Sequence, residues 1–309
     1  MRKKVLVTGS EGLIGGAIIK ELEARGMFTS QLDICAEEEI NRGDVRDYRA
    51  VTRVMTDCSG VIHLAAVSRV VWGEQKPDLC WETNVMGTKN VLTAALSMKQ
   101  KPWVIYGSSR EVYGHPQSIP VPEDAPLAPV NIYGRSKAAS EVLVNKARTK
   151  SLTTVIVRFS NVYGSTSDHS DRVIPAFSRA ASRCESLRVD GPGHVFDFNH
   201  LEDTVRGLVS LVDILEQGVN DLPPIHFVTG VPTTLGELAR MAIELAQSSS
   251  TTVLSVPRSY DVARFIGNPS RAQDLLGWTP RIGIRDGLER LIQDFRDLDN
   301  QINQQGITA

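Results

Sequence analysis

The chain has 309 residues, of which 41% are apolar and 23% charged, the balance of a globular protein with a substantial core. Its formal net charge is −2, and no lysine- or arginine-rich run indicates nucleic-acid binding. No apolar run is long enough to cross a membrane and the first residues do not resemble a signal peptide, so we expect a cytoplasmic protein without a membrane partner. The histidine and cysteine spacing indicates free thiols and no metal site.

Short apolar segments of strand length alternate with longer segments of helical periodicity. In chain order, the predicted strands are Lys4–Thr8, Phe28–Leu32, Val61–Ala65, Trp103–Tyr106 and Thr154–Arg158. The predicted helices are Leu13–Arg25, Asn84–Met98 and Tyr133–Lys150. This alternation predicts an α/β fold, a Rossmann-type doubly wound parallel sheet with helices on both faces.

A glycine-rich loop joins the first predicted strand to the first predicted helix. Gly9, Gly12 and Gly15 allow a tight turn and a close approach of the backbone to a phosphate at the helix N-terminus. Asp33 ends the next strand, at the distance expected for a carboxylate that binds a ribose diol. A carboxylate there repels a 2′-phosphate, so the sequence favours NAD over NADP as the cofactor.

Tyr133 and Lys137 lie four residues apart in a predicted helix, which places them on one face. A fixed ammonium beside a phenol lowers the tyrosine pKa, so we expect a general base for a hydroxyl group. The same spacing also occurs on ordinary helix surfaces. The glycine loop, Asp33, Ala65 and Ala66 all follow strands, and those strand ends share one crevice in a parallel sheet.

The domain prediction follows from where the alternation weakens. Residues 1–165 are predicted to form the dinucleotide-binding Rossmann domain. Residues 166–309 are predicted to form mainly a smaller C-terminal α/β substrate-binding region, and segments near 196–228 are expected to return to the first domain. One of these, Ile225–Val228, has the apolar character of a further strand.

Together these segments resemble the extended short-chain dehydrogenase/reductase family, specifically its NAD-dependent nucleotide-sugar epimerases and dehydratases, over almost the whole chain. The matching motifs begin at Thr8-Gly9-x-x-Gly12-x-x-Gly15, Asp44-Val45, His63-Leu-Ala-Ala66, Asn84-Val-x-Gly87-Thr88 and Ser108-Ser109-x-x-Val112-Tyr-Gly114. They continue through Tyr133-x-x-x-Lys137, Arg158-Phe-Ser-Asn161-Val-Tyr-Gly164 and Leu276-Gly-Trp278-x-Pro280. Each motif is modest by itself, and their order makes the resemblance specific.

The resemblance implies a role for each matched position. Ser109 would hydrogen-bond the sugar hydroxyl that Tyr133 deprotonates, and Lys137 would hold the nicotinamide ribose. The implied cofactor-binding residues are Gly9, Gly12, Leu13, Ile14, Gly15, Asp33, Asp44, Val45, Leu64, Ala65, Ala66, Asn84, Tyr133 and Lys137. The implied substrate-binding residues are Ser68, Ser109, Asn161, Arg172, His194 and Arg258.

The second half of the reaction is left open. A 4-epimerase acting through a transient 4-keto sugar is the leading hypothesis, and a 4,6-dehydratase with Glu111 as catalytic base is the alternative. Arg110 stands where related dehydratases carry an acid, and Glu111 could equally be structural. A non-catalytic NAD-binding regulator and an NAD(P)-dependent ketone reductase are further alternatives.

Two more expectations come from the resemblance. The expected partners are a nucleotide-diphosphate sugar and a second copy of the chain, because relatives pair two helices across a two-fold axis. Many relatives carry an arginine that grips the substrate phosphates at the position of Phe196. Its absence here removes a charge-assisted contact, which Arg172, His194 or Arg258 would have to replace.

Overall fold

The computed structural model describes residues 3–304. Its strands are β1 (Lys4–Thr8), β2 (Phe28–Leu32), β3 (Gly60–His63), β4 (Trp103–Ser109), β5 (Thr154–Phe159), β6 (Asn161–Tyr163), β7 (Leu187–Asp190), β8 (Val195–Phe196), β9 (Phe198–His200), β10 (Ile225–Phe227), β11 (Thr233–Thr234) and β12 (Thr252–Ser255). Its helices are α1 (Leu13–Ala24), α2 (Tyr48–Met55), α3 (Val70–Gln75), α4 (Pro77–Trp81), α5 (Gly87–Ser97), α6 (Ile132–Arg148), α7 (Val173–Ser182), α8 (Leu201–Glu216), α9 (Leu235–Leu245), α10 (Ser270–Leu276) and α11 (Ile284–Gln304). A π-helical turn at Glu82–Met86 precedes α5, and a 3₁₀ turn at Arg110–Tyr113 follows β4.

Six parallel strands form the central sheet in the order β10-β5-β4-β3-β1-β2. The chain starts in β1, adds β2 on one side, and then crosses to add β3 on the other side. The strand order therefore reverses between β1 and β3. Such a reversal leaves a crevice at the carboxyl ends of these strands, where open α/β sheets bind ligands.

The strands of this sheet are apolar on both faces because helices cover both of them. On one face Val5 and Val7 of β1 share a core with Ile18 of α1 and Leu208 of α8. On the other face Leu6 shares a core with residues of α2, α5 and α6. The doubly wound Rossmann-type fold expected from the sequence is confirmed.

A second cluster of elements lies beyond the sheet. Strands β7 and β12 pair in parallel, and α7, α9 and α11 bury Phe177, Leu238 and Leu291 against one another. Between these elements the chain comes back to the first sheet, since β10 pairs with β5 and α8 packs on α1. These contacts support the proposed division near residue 165, with α8 and β10 as the returning segments.

Several element boundaries differ from the sequence prediction, and for two strand ends the pairing gives the reason. Strand β3 ends at His63 because its neighbour β1 ends at Thr8, the partner of His63. Strand β4 continues to Ser109 because β5 pairs with it as far as Phe159.

No helix within residues 3–304 is both long and apolar enough to cross a membrane.

Candidate active site

One cavity of about 930 Å³ lies at the carboxyl ends of the sheet strands, between the sheet and the second cluster of elements. It brings together every site residue predicted from the sequence except Asn84. The predicted residues that line it are Gly9, Gly12, Leu13, Ile14, Gly15, Asp33, Asp44, Val45, Leu64, Ala65, Ala66, Ser68, Ser109, Glu111, Tyr133, Lys137, Asn161, Arg172, His194 and Arg258.

The glycine loop is shaped by close backbone contacts. Gly9 has a positive φ of 74°, and a Cβ there would lie 2.7 Å from the backbone nitrogen of Ala65. A Cβ at Gly15 would lie only 2.0 Å from the carbonyl oxygen of Gly9. Helix α1 begins after Gly12 with no side-chain cap among the described residues. Its first N–H groups are therefore available to an anion such as a pyrophosphate.

Asp33 lies beside this loop, as the sequence predicts. Its carboxylate accepts hydrogen bonds from the backbone N–H groups of Glu11 (3.1 Å) and Cys35 (2.9 Å), which fix its orientation. Each carboxylate oxygen keeps acceptor capacity for a ribose hydroxyl. Asp44 also lines the cavity, paired with Arg46 at 2.6 Å. The glycine loop and Asp33 together fit a bound dinucleotide.

Helix α6 carries Tyr133 and Lys137 and is held firmly on the sheet. The Asn131 side chain caps its first turn by accepting a hydrogen bond from the N–H of Gly134 at 2.8 Å. Further along, Glu141 forms a buried ion pair with Arg158 of β5 at 2.6 Å and accepts a hydrogen bond from Ser108. These contacts fix α6 relative to β4, the strand that carries Ser109.

The charge state of the Tyr133–Lys137 pair differs from the expectation. Burial raises the pKa of Tyr133 to about 12, although the nearby Ser109 hydroxyl and the Arg172 charge oppose that rise. The Lys137 amine donates to the carbonyl of Gly107 at 2.7 Å and lies 5.9 Å from the centroid of the tyrosine ring. Burial also lowers the pKa of Lys137 to about 8. The predicted lowering of the tyrosine pKa by lysine is therefore wrong, because desolvation outweighs the distant ammonium.

Glu111 is buried next to Ser109, and both of its carboxylate oxygens are engaged. One oxygen pairs with Arg110 at 2.9 Å and the other accepts a hydrogen bond from Asn131 at 2.7 Å. Because Asn131 caps α6, Glu111 links the turn after β4 to the start of the helix that carries Tyr133. A Cβ on Gly134 would lie 2.5 Å from the Glu111 carbonyl oxygen, so the two segments are in direct contact.

The far end of the cavity is rich in cationic side chains. Arg172 lies 3.6 Å from the buried Asp168, and Arg258 pairs with Asp261 at 2.9 Å. His194 packs edge-on against Phe196, with ring centroids 6.1 Å apart. Asn161 begins β6 and accepts a hydrogen bond from Arg110 at 3.3 Å. The predicted substrate-binding residues thus line one cavity.

Asn84 is the predicted site residue that the structure places elsewhere. It is 1% exposed, lies in the π-helical turn, and does not line the cavity. Its amide oxygen accepts from the Val67 N–H at 2.7 Å, and its amide nitrogen donates to the Ser136 hydroxyl at 2.8 Å. It therefore holds the cavity-lining loop after β3 against α6, a role that the motif alone does not reveal.

Sequence reasoning also missed a contact across the mouth of the cavity. Arg69, in the loop before α3, forms a two-point ion pair with Asp171, and Trp72 packs edge-on against His169 at 4.8 Å. All four residues line the cavity. Arg69 and Trp72 lie at the start of α3, about 100 positions before His169 and Asp171 in the loop that precedes α7, and neither segment carries a motif that predicts the pairing.

Comparison with known proteins shows to which family the chain belongs. Residues 5–228 match the family model described as "NAD dependent epimerase/dehydratase family". The chain belongs to this family. It is therefore an NAD-dependent enzyme, and the glycine loop and Asp33 are the residues that fit its cofactor.

Similar proteins within this family carry different names. A UDP-glucose 4-epimerase of Rhizobium meliloti (strain 1021) is 28% identical, the match covering 90% of this chain and 92% of that protein. A UDP-glucuronic acid decarboxylase 1 of Arabidopsis thaliana is 27% identical, covering 96% of this chain and 70% of that protein. Among solved structures, MoeE5 in complex with UDP-glucuronic acid and NAD has a TM-score of 0.87 and 28% identity, covering 96% and 99%.

Proposed function

We propose that this family member is an NAD-dependent nucleotide-sugar 4-epimerase that acts through a transient 4-keto sugar. The observation that carries the proposal is that Ser109, Tyr133 and Lys137 line the same cavity as the glycine loop. The named relatives act on or bind UDP-sugars, which supports a nucleotide-diphosphate sugar as the substrate.

In this proposal each side chain has one task. NAD held at the glycine loop and Asp33 would supply a hydride acceptor for C4, and its positive ring charge would lower the Tyr133 pKa from about 12. Tyr133 takes the proton from the sugar C4 hydroxyl, while Ser109 accepts or donates the hydrogen bond that orients that hydroxyl. Lys137 holds a ribose hydroxyl and adds positive charge near the phenol. The 4-keto sugar then rotates, the hydride would return to C4 on its opposite face, and Tyr133 gives its proton back to the C4 oxygen. No net oxidation or reduction remains.

The position of Glu111 favours epimerisation over dehydration. A base that removes a proton next to a sugar carbonyl must direct a carboxylate oxygen at that proton. Here both oxygens are occupied, by Arg110 and by Asn131. We therefore assign Glu111 a positioning role at the start of α6. The 4,6-dehydratase with Glu111 as base stays the alternative, because Glu111 lines the same cavity.

Turnover of a panel of nucleotide sugars tests the proposal. We expect the NAD-loaded enzyme to convert UDP-glucose or a related sugar to its C4 epimer with no change of mass, read by mass spectrometry together with NMR. Loss of water would indicate a dehydratase, and loss of carbon dioxide from UDP-glucuronic acid would indicate a decarboxylase. Stoichiometric use of added NADH would indicate a reductase, and no turnover with any sugar would indicate a non-catalytic NAD-binding regulator.

The variant Glu111→Gln separates epimerase from dehydratase more directly. Glutamine keeps an acceptor for Arg110 but cannot act as a base. Under the epimerase proposal it lowers turnover by less than about tenfold, through a looser α6. A loss of turnover on the order of 10²-fold or more would be the mark of a catalytic carboxylate.

We further propose that the enzyme is a homodimer. Trp81, Met86 and Val142 are apolar side chains exposed by 44%, 42% and 52% on α4, the π-helical turn and α6, which contact one another. An apolar face of this kind is typical of an interface. Light scattering after size-exclusion chromatography should give twice the mass of the chain, and Val142→Glu should give a monomer.

A further inference from the structure

Arg110 has the surroundings of an anion-binding group within the cavity. Its guanidinium lies over the Phe196 ring at 4.6 Å and 5.9 Å from the Phe265 centroid, and its side chain is only 11% exposed. Nε donates to Asn161 and Nη2 pairs with Glu111. Nη1 is buried and, within residues 3–304, has no hydrogen-bond partner. A buried donor without an acceptor is costly, and a ligand oxygen would remove that cost.

The other cavity arginines are engaged differently. The side chains of Arg172, Arg188 and Arg258 are 29%, 71% and 46% exposed, so water solvates them. Arg46 is 40% exposed and pairs with Asp44, and Arg69, although only 11% exposed, has both terminal nitrogens paired with Asp171. Arg110 directly follows Ser109, which the proposed mechanism places at the sugar C4 hydroxyl, and it donates to Asn161. We therefore assign Arg110 to the sugar half of the substrate and not to the nucleoside half.

We propose that Arg110 binds an anionic group on the sugar half of the substrate, either the sugar-side phosphate or a carboxylate on the sugar ring. The proposal rests on the nucleotide-sugar function proposed above and adds a specificity-determining residue to it. Phe196 forms the wall on which the guanidinium stacks, so a cation from the turn after β4 takes the place of one from β8. Glu111 does not take up this role, because it pairs with Nη2 of Arg110 and leaves Nη1 as the donor for a ligand oxygen.

Calorimetric titration of the NAD-loaded, full-length enzyme with UDP, UDP-glucose and UDP-glucuronic acid tests the proposal. We expect Arg110→Gln to weaken binding by a factor on the order of 10 to 100, the loss expected for a charge-assisted hydrogen bond. An equal loss for UDP-glucose and UDP-glucuronic acid identifies the phosphate as the ligand. A loss confined to UDP-glucuronic acid identifies the sugar carboxylate. Unchanged affinity for both sugars overturns the proposal.

Two further variants distinguish loss of a direct contact of Arg110 from loss of folded structure. Arg183→Gln removes a positive charge from a surface ion pair with Asp299, outside the cavity, and should leave all three affinities at the wild-type values. The double variant Arg110→Gln/Phe196→Arg places a guanidinium on the opposite wall and should regain affinity. If the double variant stays as weak as Arg110→Gln while retaining its NAD content, Arg110 acts only through structure and the proposal fails. Wild-type enzyme that binds neither sugar would overturn the nucleotide-sugar function itself, and this inference with it.

Discussion

At the scale of single residues, the buried Tyr133 phenol is the group on which the proposed chemistry depends. With a pKa of about 12, this phenol is protonated at neutral pH. Under the proposed mechanism, the positive charge of the cofactor makes it a base, so base strength and cofactor binding are coupled.

We predict that Tyr133→Phe lowers turnover on the order of 10²- to 10⁴-fold, because phenylalanine keeps the shape but cannot accept a proton. NAD affinity should change little, as measured by titration of the cofactor-free protein. Tyr48→Phe is the matched control, since Tyr48 is exposed and lies outside the cavity. Equal turnover for wild type and Tyr133→Phe on every sugar of the panel would exclude Tyr133 as the base.

Lys137 is expected to cost stability in the cofactor-free protein. Its folded-state pKa of about 8 lies below the ordinary value of 10.5, so between these values the unfolded chain binds more protons. The free energy of unfolding of the wild type therefore increases as the pH rises from about 8 to 10.5. Lys137→Met should be more stable than wild type at pH 7.5, and this advantage should shrink by about 2 kcal/mol at pH 9.5. Urea unfolding of both proteins at pH 7.5 and 9.5 measures this difference in the free energy of unfolding. A difference that is the same at both pH values would contradict the lowered pKa of Lys137.

Residue by residue, the sequence predicts most of this site because the motifs follow strands and strand ends converge. The glycine loop, Asp33, Ala65 and Ser109 all lie where that rule places them. The pKa of Tyr133 could not be predicted, since it depends on burial by loops from both halves of the chain. Asn84 illustrates the same limit, because the motif does not show whether its amide faces the cavity or the neighbouring helix.

At the scale of elements, the turn from β1 into α1 depends on Gly15 more than on its neighbour Gly16. A Cβ at Gly15 would overlap the Gly9 carbonyl at 2.0 Å, whereas one at Gly16 would lie 3.5 Å from the Ser10 oxygen, an ordinary contact. We predict that Gly15→Ala lowers NAD affinity more than tenfold and destabilises the protein by about 1–3 kcal/mol, because the loop must move. Gly16→Ala should keep NAD affinity and gain up to about 1 kcal/mol from helix propensity. Similar NAD titrations and unfolding curves for the two variants would refute this account of the loop.

The type and order of the sheet elements could be predicted from hydrophobic pattern, but their ends could not. Strand ends are set by partners: β4 continues to Ser109 only because β5 accompanies it. The π-helical turn before α5 is likewise a tertiary effect, since Asn84 within it bonds the Val67 backbone and Ser136. Local sequence does not contain these contacts.

At the scale of the whole molecule, two buried histidines make stability depend on acid. Burial lowers the pKa of both His63 and His226 from the ordinary 6.5 to about 3. Between pH 3 and pH 6.5 the unfolded chain therefore binds more protons than the folded chain. Stability therefore falls as the pH drops through 6.5. Between pH 7 and 5.5 we predict a loss of about 1 kcal/mol for each histidine. Urea unfolding at the two pH values measures this change in the free energy of unfolding. The variant His63→Gln should lose less stability than wild type over the same range. An equal loss in the variant would contradict a contribution from His63.

The join between the two regions was the part of the molecule least accessible from sequence. Arg69 and Asp171 meet across the cavity mouth although 102 positions separate them, and neither belongs to a periodic element that predicts its neighbour. Cationic side chains at the substrate end are similarly scattered along the chain. Their convergence follows from packing of the second cluster of elements, which hydrophobic pattern indicates only weakly after residue 165.

The return of the chain to the first sheet has a consequence for recombination. Under the proposed division, the cofactor side is built from three segments, near 3–160, 201–227 and 270–278, and the substrate side from the three that separate and follow them. A chimaera made by a single crossover would split both units. To exchange substrate specificity with a relative, all three segments of the substrate side must be replaced together. Recombination of one contiguous segment does not transfer either unit.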